Sequence, residues 1–266
     1  MKNSFKILIY ILSLLGFAAG GIIIAYILFN GIPNISPSLF ELKYTSQNVS
    51  IIPALVTTFL SIIITLIITI PIGIFTAIYL SQYAKNKLLI KSVRFATEIL
   101  SSIPSIVYGL FGYLFFVDAL HLGYSLIAGC LTVAIMILPT IIRTTEEAIL
   151  NVNPLQAHAS LALGATKIQT IFKIIIPEAI NGILGGIFLS TGRIVGESAA
   201  LIYTMGTVAK TPSSLFDSAR TMAVHMYVLS TEGFHVNEAY ATAVLLLIFV
   251  IVLNFVSGKI SKAIIK

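Results

Sequence analysis

The chain has 266 residues, of which 58% are hydrophobic and only 10% are charged. A soluble domain carries about 25% charged residues, so this composition excludes an ordinary soluble fold and indicates a membrane protein. The net charge of +6 does not indicate nucleic-acid binding, because the basic residues form short clusters between apolar runs and no aromatic residues alternate with them.

Six long apolar segments predict six transmembrane helices, since a helix satisfies its own backbone hydrogen bonds in lipid. The first segment is too long for a cleaved signal sequence, and we expect it to be retained as a helix. Pro104 and Pro139 are expected to bend or break the helices that contain them. In chain order the predicted helices are residues 5–29, 51–83, 99–117, 124–142, 178–205 and 239–256.

The basic residues predict the orientation, because cytoplasmic loops of membrane proteins are enriched in Lys and Arg. Twelve of the 16 lie near the termini or after the second and fourth helices, whereas only Lys43, Lys210 and Arg220 fall in the other loops. Both termini are therefore predicted to be cytoplasmic. Residues 30–50 and 206–238 are then the two longer outer loops.

The main cytoplasmic loop, residues 143–177, contains a predicted helix, turn and second helix. Pro154 suits the first turn of a helix, and Gly164 suits a helix stop. A second segment then leads through Pro177 into the fifth transmembrane helix. Two short elements along the membrane surface would present a ridge to a cytoplasmic partner.

Arg193 and Glu197 lie inside the fifth apolar segment, where a charge costs roughly 2.5–3.5 kcal/mol at the bilayer centre. Their i, i+4 spacing predicts that they share one helix face and can pair. A guanidinium fork matches the oxygens of phosphate or sulfate, so the pair is a candidate for an anion pathway. Arg143, at the end of the fourth helix, is either a second anion station or a topology anchor at the inner interface.

The sequence does not indicate an enzyme, because it contains no Walker A pattern and no grouping of catalytic or metal-ligating residues. His121, His225 and His235 are scattered on or near the outer loops, and we expect them to be solvated. Cys130 is a single thiol in an apolar run and is expected to be a small buried side chain.

The loop from residue 154 to residue 177 resembles the EAA loop of ABC importer permeases. The family pattern is Glu-Ala-Ala, three residues, Gly, nine residues and Ile-x-Leu-Pro, and its register is kept by Ala159, Gly164, Ile174 and Pro177. His158 replaces the Glu, Ser160 the second Ala and Ile176 the Leu. The resemblance implies that a short helix inserts into a groove of an ATPase subunit; the alternative is an ordinary amphipathic interfacial helix. The residues implied in this contact are His158, Ala159, Ser160, Leu163, Gly164 and Ala165.

Four further segments are similar to the phosphate importer permeases, and most similar to their PstA branch. These segments are residues 70–80, 103–112, 138–146 and 192–200. The resemblance covers most of the chain from about residue 50 onward. It implies an all-α type I importer permease fold, with a first helix and outer loop in residues 1–49 and a five-helix core in residues 50–266. In this family an arginine in the motif of Arg143 is implicated in transport.

The resemblance also implies an assembly in a bacterial plasma membrane that imports inorganic phosphate. This chain would form half of the pathway, beside a second related permease subunit (PstC-like). A dimer of ATPase subunits (PstB-like) would bind ATP and magnesium, so this chain would need no cofactor of its own. An extracytoplasmic phosphate-binding protein (PstS-like) would deliver the anion.

Two alternatives remain open on the sequence. The EAA loop does not exclude a permease for another oxyanion, such as sulfate or molybdate. A secondary transporter or membrane signalling protein without an ATPase is the other alternative. Six helices are few for most secondary transporters, which often use two repeats, and the loop around Gly164 would then need a separate explanation.

Overall fold

The computed structural model describes residues 2–264, and every regular element within them is helical. The α-helices in chain order are α1 (Lys2–Gly31), α2 (Ile52–Ile78), α3 (Lys87–Ser102), α4 (Ser105–Gly112), α5 (Leu126–Leu150), α6 (Pro154–Ala162), α7 (Lys167–Thr170), α8 (Ile176–Gly196), α9 (Ala199–Thr204), α10 (Met222–Glu232) and α11 (Val236–Ile264). Wider π-helical turns extend α2, α4 and α7, at Tyr79–Tyr83, Tyr113–Ala119 and Ile171–Ile175. Two 3₁₀ turns follow α1, at Ile32–Asn34 and Pro37–Phe40.

Five stretches of the described chain are long and apolar enough to cross a membrane. They are Leu12–Asn34, Ile52–Tyr83, Leu126–Leu150, Lys167–Gly196 and Val236–Ala263. The pair α3 and α4, with its π-helical extension, passes the same test together but is bent by 100°. The chain thus has five candidate crossings, and six if the bent pair is one crossing, in agreement with the predicted helical membrane fold.

The predicted third helix, residues 99–117, is wrong as a continuous helix. It breaks at Ile103, which is extended at φ −68° and ψ 131°, because Pro104 disfavours the helical conformation of the residue before it. The expectation that Pro104 bends or breaks a helix is therefore confirmed. Pro139, in contrast, lies inside α5 without ending it.

The predicted fifth helix, residues 178–205, also begins and ends differently. Its apolar run starts earlier, at Lys167, and α8 ends at Gly196. Glu197 is extended at φ −75° and ψ 126°, and its carboxylate accepts a hydrogen bond of 3.0 Å from the backbone N–H of Ala200. The carboxylate thus occupies an otherwise unpaired donor at the start of the short helix α9.

The core of the bundle lies around α5, which packs against α2 and α8. Of the most apolar window of α5, 67% is buried, against 33% or less for the other crossings. Its side chains Met136, Ile137 and Ile141 meet those of Ile62 on α2 and Ile194 on α8. The lipid-facing or partner-facing surface therefore belongs to the surrounding helices.

Helix α1 lies at the edge of this core and packs mainly on α11. None of its apolar window is buried. The contact is close at Gly31, where a Cβ atom would lie 2.5 Å from the carbonyl oxygen of Tyr240, so only glycine fits there. Tyr26 adds an edge-on ring contact with Tyr240 at 5.9 Å.

The two ends of the bundle differ in construction. At one end, which we call the loop end, residues 32–51 and 205–221 cover the starts of α2, α5 and α10. The backbone N–H groups of Leu126 and Ile127 donate to the carbonyls of Asp217 and Leu215, so these loops satisfy the first donors of α5. At the other end, which we call the α6 end, α5 leads directly into α6 and α7.

Candidate functional site

Helix α6 and its turn are built as the sequence predicts. Asn153 caps α6 by accepting from the N–H of Leu155 at 3.0 Å, and Pro154 occupies the first helical position. Gly164 then adopts φ +88°, a conformation that other residues rarely take. Thr166 and Gln169 form a reciprocal capping box that starts α7. The predicted helix, glycine turn and second segment are therefore confirmed.

The surface of α6 and its turn is largely apolar and exposed among the described residues. Leu163 is 90% exposed and Leu155 70% exposed. His158 and Ala159 are also exposed, Ser160 and Ala165 are half-buried, and a shallow cavity of about 570 Å³ runs between this surface and the start of α8. Contiguous exposed apolar surface of this kind is typical of an interaction site. We call it the α6 ridge: Leu155, His158, Ala159, Leu163, Gly164 and Ala165.

The α6 ridge is tied to two membrane-crossing helices. The hydroxyl groups of Ser160 and Thr170 lie 3.0 Å apart, which links α6 to the helical run that continues into α8. Lys167 donates to the backbone carbonyl of Gln82 and lies 4.4 Å above the Tyr83 ring, at the end of the second crossing. Through these contacts α6 and α7 are joined both to the end of the second crossing and to the helical run that leads into α8.

The predicted pair of Arg193 and Glu197 is not formed. Because α8 ends at Gly196, the two residues do not share a helix face, and no ion pair to Arg193 exists within residues 2–264. Glu197 is buried and caps α9, as described above. Arg193 lies instead close enough to Tyr108 to act on its hydroxyl group electrostatically.

Tyr108 is a neighbour of Arg193 that sequence reasoning missed. Its hydroxyl donates to the backbone carbonyl of Leu100 at 2.7 Å, across the break at Pro104. This hydrogen bond closes the bend between α3 and α4 and brings a buried phenol to the level of Arg193. The signal in the sequence was a tyrosine one turn after a helix-breaking proline, which alone is weak.

Arg143 lies near the α6 end, on the exposed face of α5. It is 63% exposed, and its Nε donates to Glu147 at 3.1 Å. It lines a cavity of about 320 Å³ with Arg94 and the buried Glu146. Arg94 donates two hydrogen bonds to Oε1 of Glu146, from Nε at 3.0 Å and from Nη2 at 2.7 Å. The sequence did not predict this bond between α3 and α5, since 52 residues separate its partners.

Arg143 and Arg193 lie at different depths of the bundle. Thr144 on α5 faces Gly186 on α8, where an added Cβ atom would clash with the threonine hydroxyl. Arg193 is seven residues further along α8, which is about 10 Å along the helix axis. The two arginines are thus separate positions along the bundle and not one site.

His225 corrects the expectation that the histidines are solvated. It is 0% exposed, inside the loop end, whereas His121 is exposed and His235 half-buried beside Glu238 at 3.8 Å. Burial first, and then the positive charge of Arg220, lower the pKa of His225 to about 3. The backbone carbonyl of Val49 opposes this shift weakly. His225 is therefore neutral at neutral pH.

The family described as "Binding-protein-dependent transport system inner membrane component" matches residues 69–266. The chain belongs to this family. Its helical bundle with several membrane-crossing helices is accordingly that of a permease component of an ABC importer. The resemblance to ABC importer permeases in the residues around Gly164 and Arg193 is therefore confirmed for the family as a whole.

Several relatives of this chain have phosphate transport in their names, and another is named only as a probable ABC transporter permease. The chain is 31% identical to the phosphate transport system permease protein PstA of Haemophilus influenzae over 228 residues, covering 84% of this chain and 80% of that protein. It is 34% identical to the probable ABC transporter permease protein YqgI of Bacillus subtilis over 261 residues, covering 91% and 88% of the two chains. A PstA homolog from Mycoplasma pneumoniae is 34% identical over 216 residues, but the chain spans only 33% of its length.

Solved structures share the fold of this permease. The inward-facing MetNI methionine ABC transporter matches with a TM-score of 0.62 at 23% identity, covering 81% of this chain and 94% of that chain. At this identity the likeness supports the architecture alone. It agrees with the type I importer fold predicted from the sequence.

Proposed function

We propose that this permease imports inorganic phosphate and forms half of the pathway in a bacterial plasma membrane. Two further inferences follow: a second related permease supplies the other half, and a separate pair of ATPase subunits supplies the energy from ATP. The similarity to PstA of Haemophilus influenzae over 84% of the chain is the observation that supports phosphate as the substrate. In this proposal the α6 end faces the cytoplasm and the loop end faces the phosphate-binding protein.

The α6 ridge is the proposed docking surface for the ATPase. Support comes from the 90% exposure of Leu163 and from the lack of any partner for this apolar surface in the described chain. The ties of Ser160 and Lys167 to neighbouring helices suit a coupling element, because they pass motion of the ridge into α2 and α8. His158 would occupy the position of the family's usual glutamate.

Arg193, Glu197 and Arg143 are the proposed pathway residues. Arg193 has no ion-pair partner among residues 2–264, so its guanidinium is available to a phosphate oxygen. Glu197, four residues further and buried, is proposed to accept the proton of a hydrogen-phosphate, which sulfate cannot offer. Arg143 lies about 10 Å further toward the α6 end and would receive the anion as it leaves.

The proposal is tested by uptake of labelled phosphate and sulfate into vesicles that contain the whole importer. We expect the wild type to take up phosphate in preference to sulfate. Glu197→Gln keeps an oxygen for the Ala200 N–H, so we expect it to fold, and it should lose much of the phosphate preference. Equal uptake of both anions by the wild type would contradict the proposal that phosphate is the substrate. An unchanged preference in Glu197→Gln would contradict the role of this carboxylate alone.

A further inference from the structure

A buried arginine and a buried histidine lie together at the loop end. Arg220 is 4% exposed and His225 0% exposed. The ring of Tyr44 lies against both, at 4.7 Å from the Arg220 guanidinium carbon and at 6.0 Å, edge-on, from the His225 ring. These three residues, from two separate loops and the start of α10, form what we call the Arg220 cluster.

The polar groups of the Arg220 cluster are largely unpaired. Only Nη1 of Arg220 has a partner, the carbonyl of Thr207 at 3.5 Å, and Nε and Nη2 have no hydrogen-bond acceptor within residues 2–264. Neither ring nitrogen of His225 makes a well-formed hydrogen bond. Burying an unpaired charge is costly, and buried polar groups are hydrogen-bonded in the great majority of cases. The cluster therefore needs an acceptor from outside the described chain.

Three acidic groups of the loop end are occupied elsewhere. Glu41 accepts from the Asn48 side chain at 2.7 Å. Asp217 accepts three hydrogen bonds from Ser213 and Ser214. Glu238 faces His235. No described carboxylate forms an ion pair with Arg220, so among residues 2–264 only the Tyr44 ring faces its positive charge.

Two backbone N–H groups at the start of α10 have hydrogen-bond partners within the chain. Thr221 caps the helix by accepting from the N–H of Val224 at 3.4 Å. The N–H of Met222 donates to the Thr58 hydroxyl at 2.9 Å. The unpaired donors of this region are therefore those of the Arg220 and His225 side chains.

Arg94 in the same chain shows what the open edge of Arg220 is suited to bind. Arg94 uses Nε and Nη2, the two donors on one edge of its guanidinium, to hold a carboxylate oxygen of Glu146. The same two donors are the unpaired ones in Arg220. This edge binds carboxylate and phosphate oxygens in the same way.

We propose that the Arg220 cluster is an oxyanion-binding site at the entrance of the pathway, which takes phosphate when the loop carrying Tyr44 moves away. Arg220 supplies the edge of two donors, and neutral His225 supplies one more. This site rests on the proposed function, because its ligand is the transported anion. It precedes Arg193 along the route from the loop end to the α6 end.

The test is the thermal stability of the purified importer, without binding protein, titrated with inorganic phosphate at constant ionic strength in chloride. Ligand bound to the folded state raises the melting temperature. We expect phosphate to raise that of the wild type and of Lys210→Gln, a matched change of an exposed cation at the same end. The shift should be lost in Arg220→Met. In chloride alone this variant should melt no lower than the wild type, since it removes an unpaired buried charge.

Arg220→Lys is the second variant, and it keeps the positive charge while losing the edge of two donors. Loss of one charge-assisted hydrogen bond should raise the phosphate concentration at half-shift about tenfold or more. An unchanged half-shift concentration in Arg220→Lys would overturn the site. So would a phosphate shift that persists in Arg220→Met. A rise in melting temperature that appears only when substrate-free binding protein is added would identify a carboxylate of that partner as the group bound by Arg220. It would also overturn the proposal that the cluster binds phosphate.

These outcomes are separate from failure of the proposed function. If vesicle uptake prefers phosphate while Arg220→Met keeps the phosphate shift, the proposed function stands and the site fails. If uptake does not prefer phosphate, the proposed function fails whatever the melting data show.

Discussion

Arg193 and Glu197 show how a single residue's role depends on where a helix ends. The spacing of four residues is correct for a pair on one helix face, but α8 ends between the two at Gly196. Glu197 instead accepts from the backbone of α9, and Arg193 has no ion-pair partner within residues 2–264. The residue types therefore indicated a buried polar position, while their partners depended on the backbone.

His225 provides a pH prediction at the same scale. An unfolded histidine has a pKa of about 6.5, whereas burial lowers the pKa of folded His225 to about 3. Between these values the unfolded chain binds a proton that the folded chain does not. The stability that neutral His225 allows is therefore present above pH 6.5 and is lost as the pH falls toward 3, by on the order of 1 kcal/mol per pH unit.

Melting of the purified importer at pH 7.5, 6.5 and 5.5 measures this loss. We expect His225→Gln to reduce the drop in melting temperature between pH 6.5 and pH 5.5. His121→Gln changes an exposed histidine and should keep the wild-type drop. Identical pH profiles for His225→Gln and the wild type would show that His225 is accessible to protons in the folded protein.

Helix α6 is the element whose structure the sequence predicted best. Its start and stop signals are local: a capping Asn153 and a proline at the first position begin it, and a glycine at φ +88° follows its end. Each works through backbone chemistry within a few residues and needs no distant contact. The break at Ile103 is local too, because Pro104 imposes it. The ties of Lys167 to Gln82 and of Arg94 to Glu146 are not local, and no pattern in the sequence revealed them.

The exposure of the α6 ridge gives a prediction at the scale of the element. Leu163→Asp adds a charge to a side chain that is 90% exposed, so we expect the change in folding free energy to stay within about 0.5 kcal/mol. The same charge would be buried in an apolar docking groove, and the ATPase should no longer copurify with the permease.

Leu88→Asp is the control for this prediction, because Leu88 is also exposed near the α6 end but lies on α3, outside the ridge. We expect it to leave copurification of the ATPase unchanged. Normal copurification with Leu163→Asp would mean that the ridge does not contact the ATPase. Loss of ATPase copurification with both variants would mean that the effect is not specific to the ridge.

At the scale of the whole molecule, hydropathy predicted the helical membrane fold and the approximate position of each crossing, because lipid tolerates few alternatives to a helix. The irregular positions were harder to predict, since the end of α8 before Glu197 has no clear stop signal in the sequence and His225 is buried by a contact with the distant Tyr44. The loop end is the clearest case. Its loops were predicted as outer loops with solvated histidines, yet they fold over α10 and bury His225 against Tyr44.

The central claim is that this permease couples phosphate import to a separate ATPase. The most direct measurement is ATP hydrolysis by the importer in vesicles, with phosphate-loaded, sulfate-loaded or empty binding protein added in turn. We predict stimulation by the phosphate-loaded form alone. Equal hydrolysis with all three forms, or stimulation by the sulfate-loaded form, would contradict the claim.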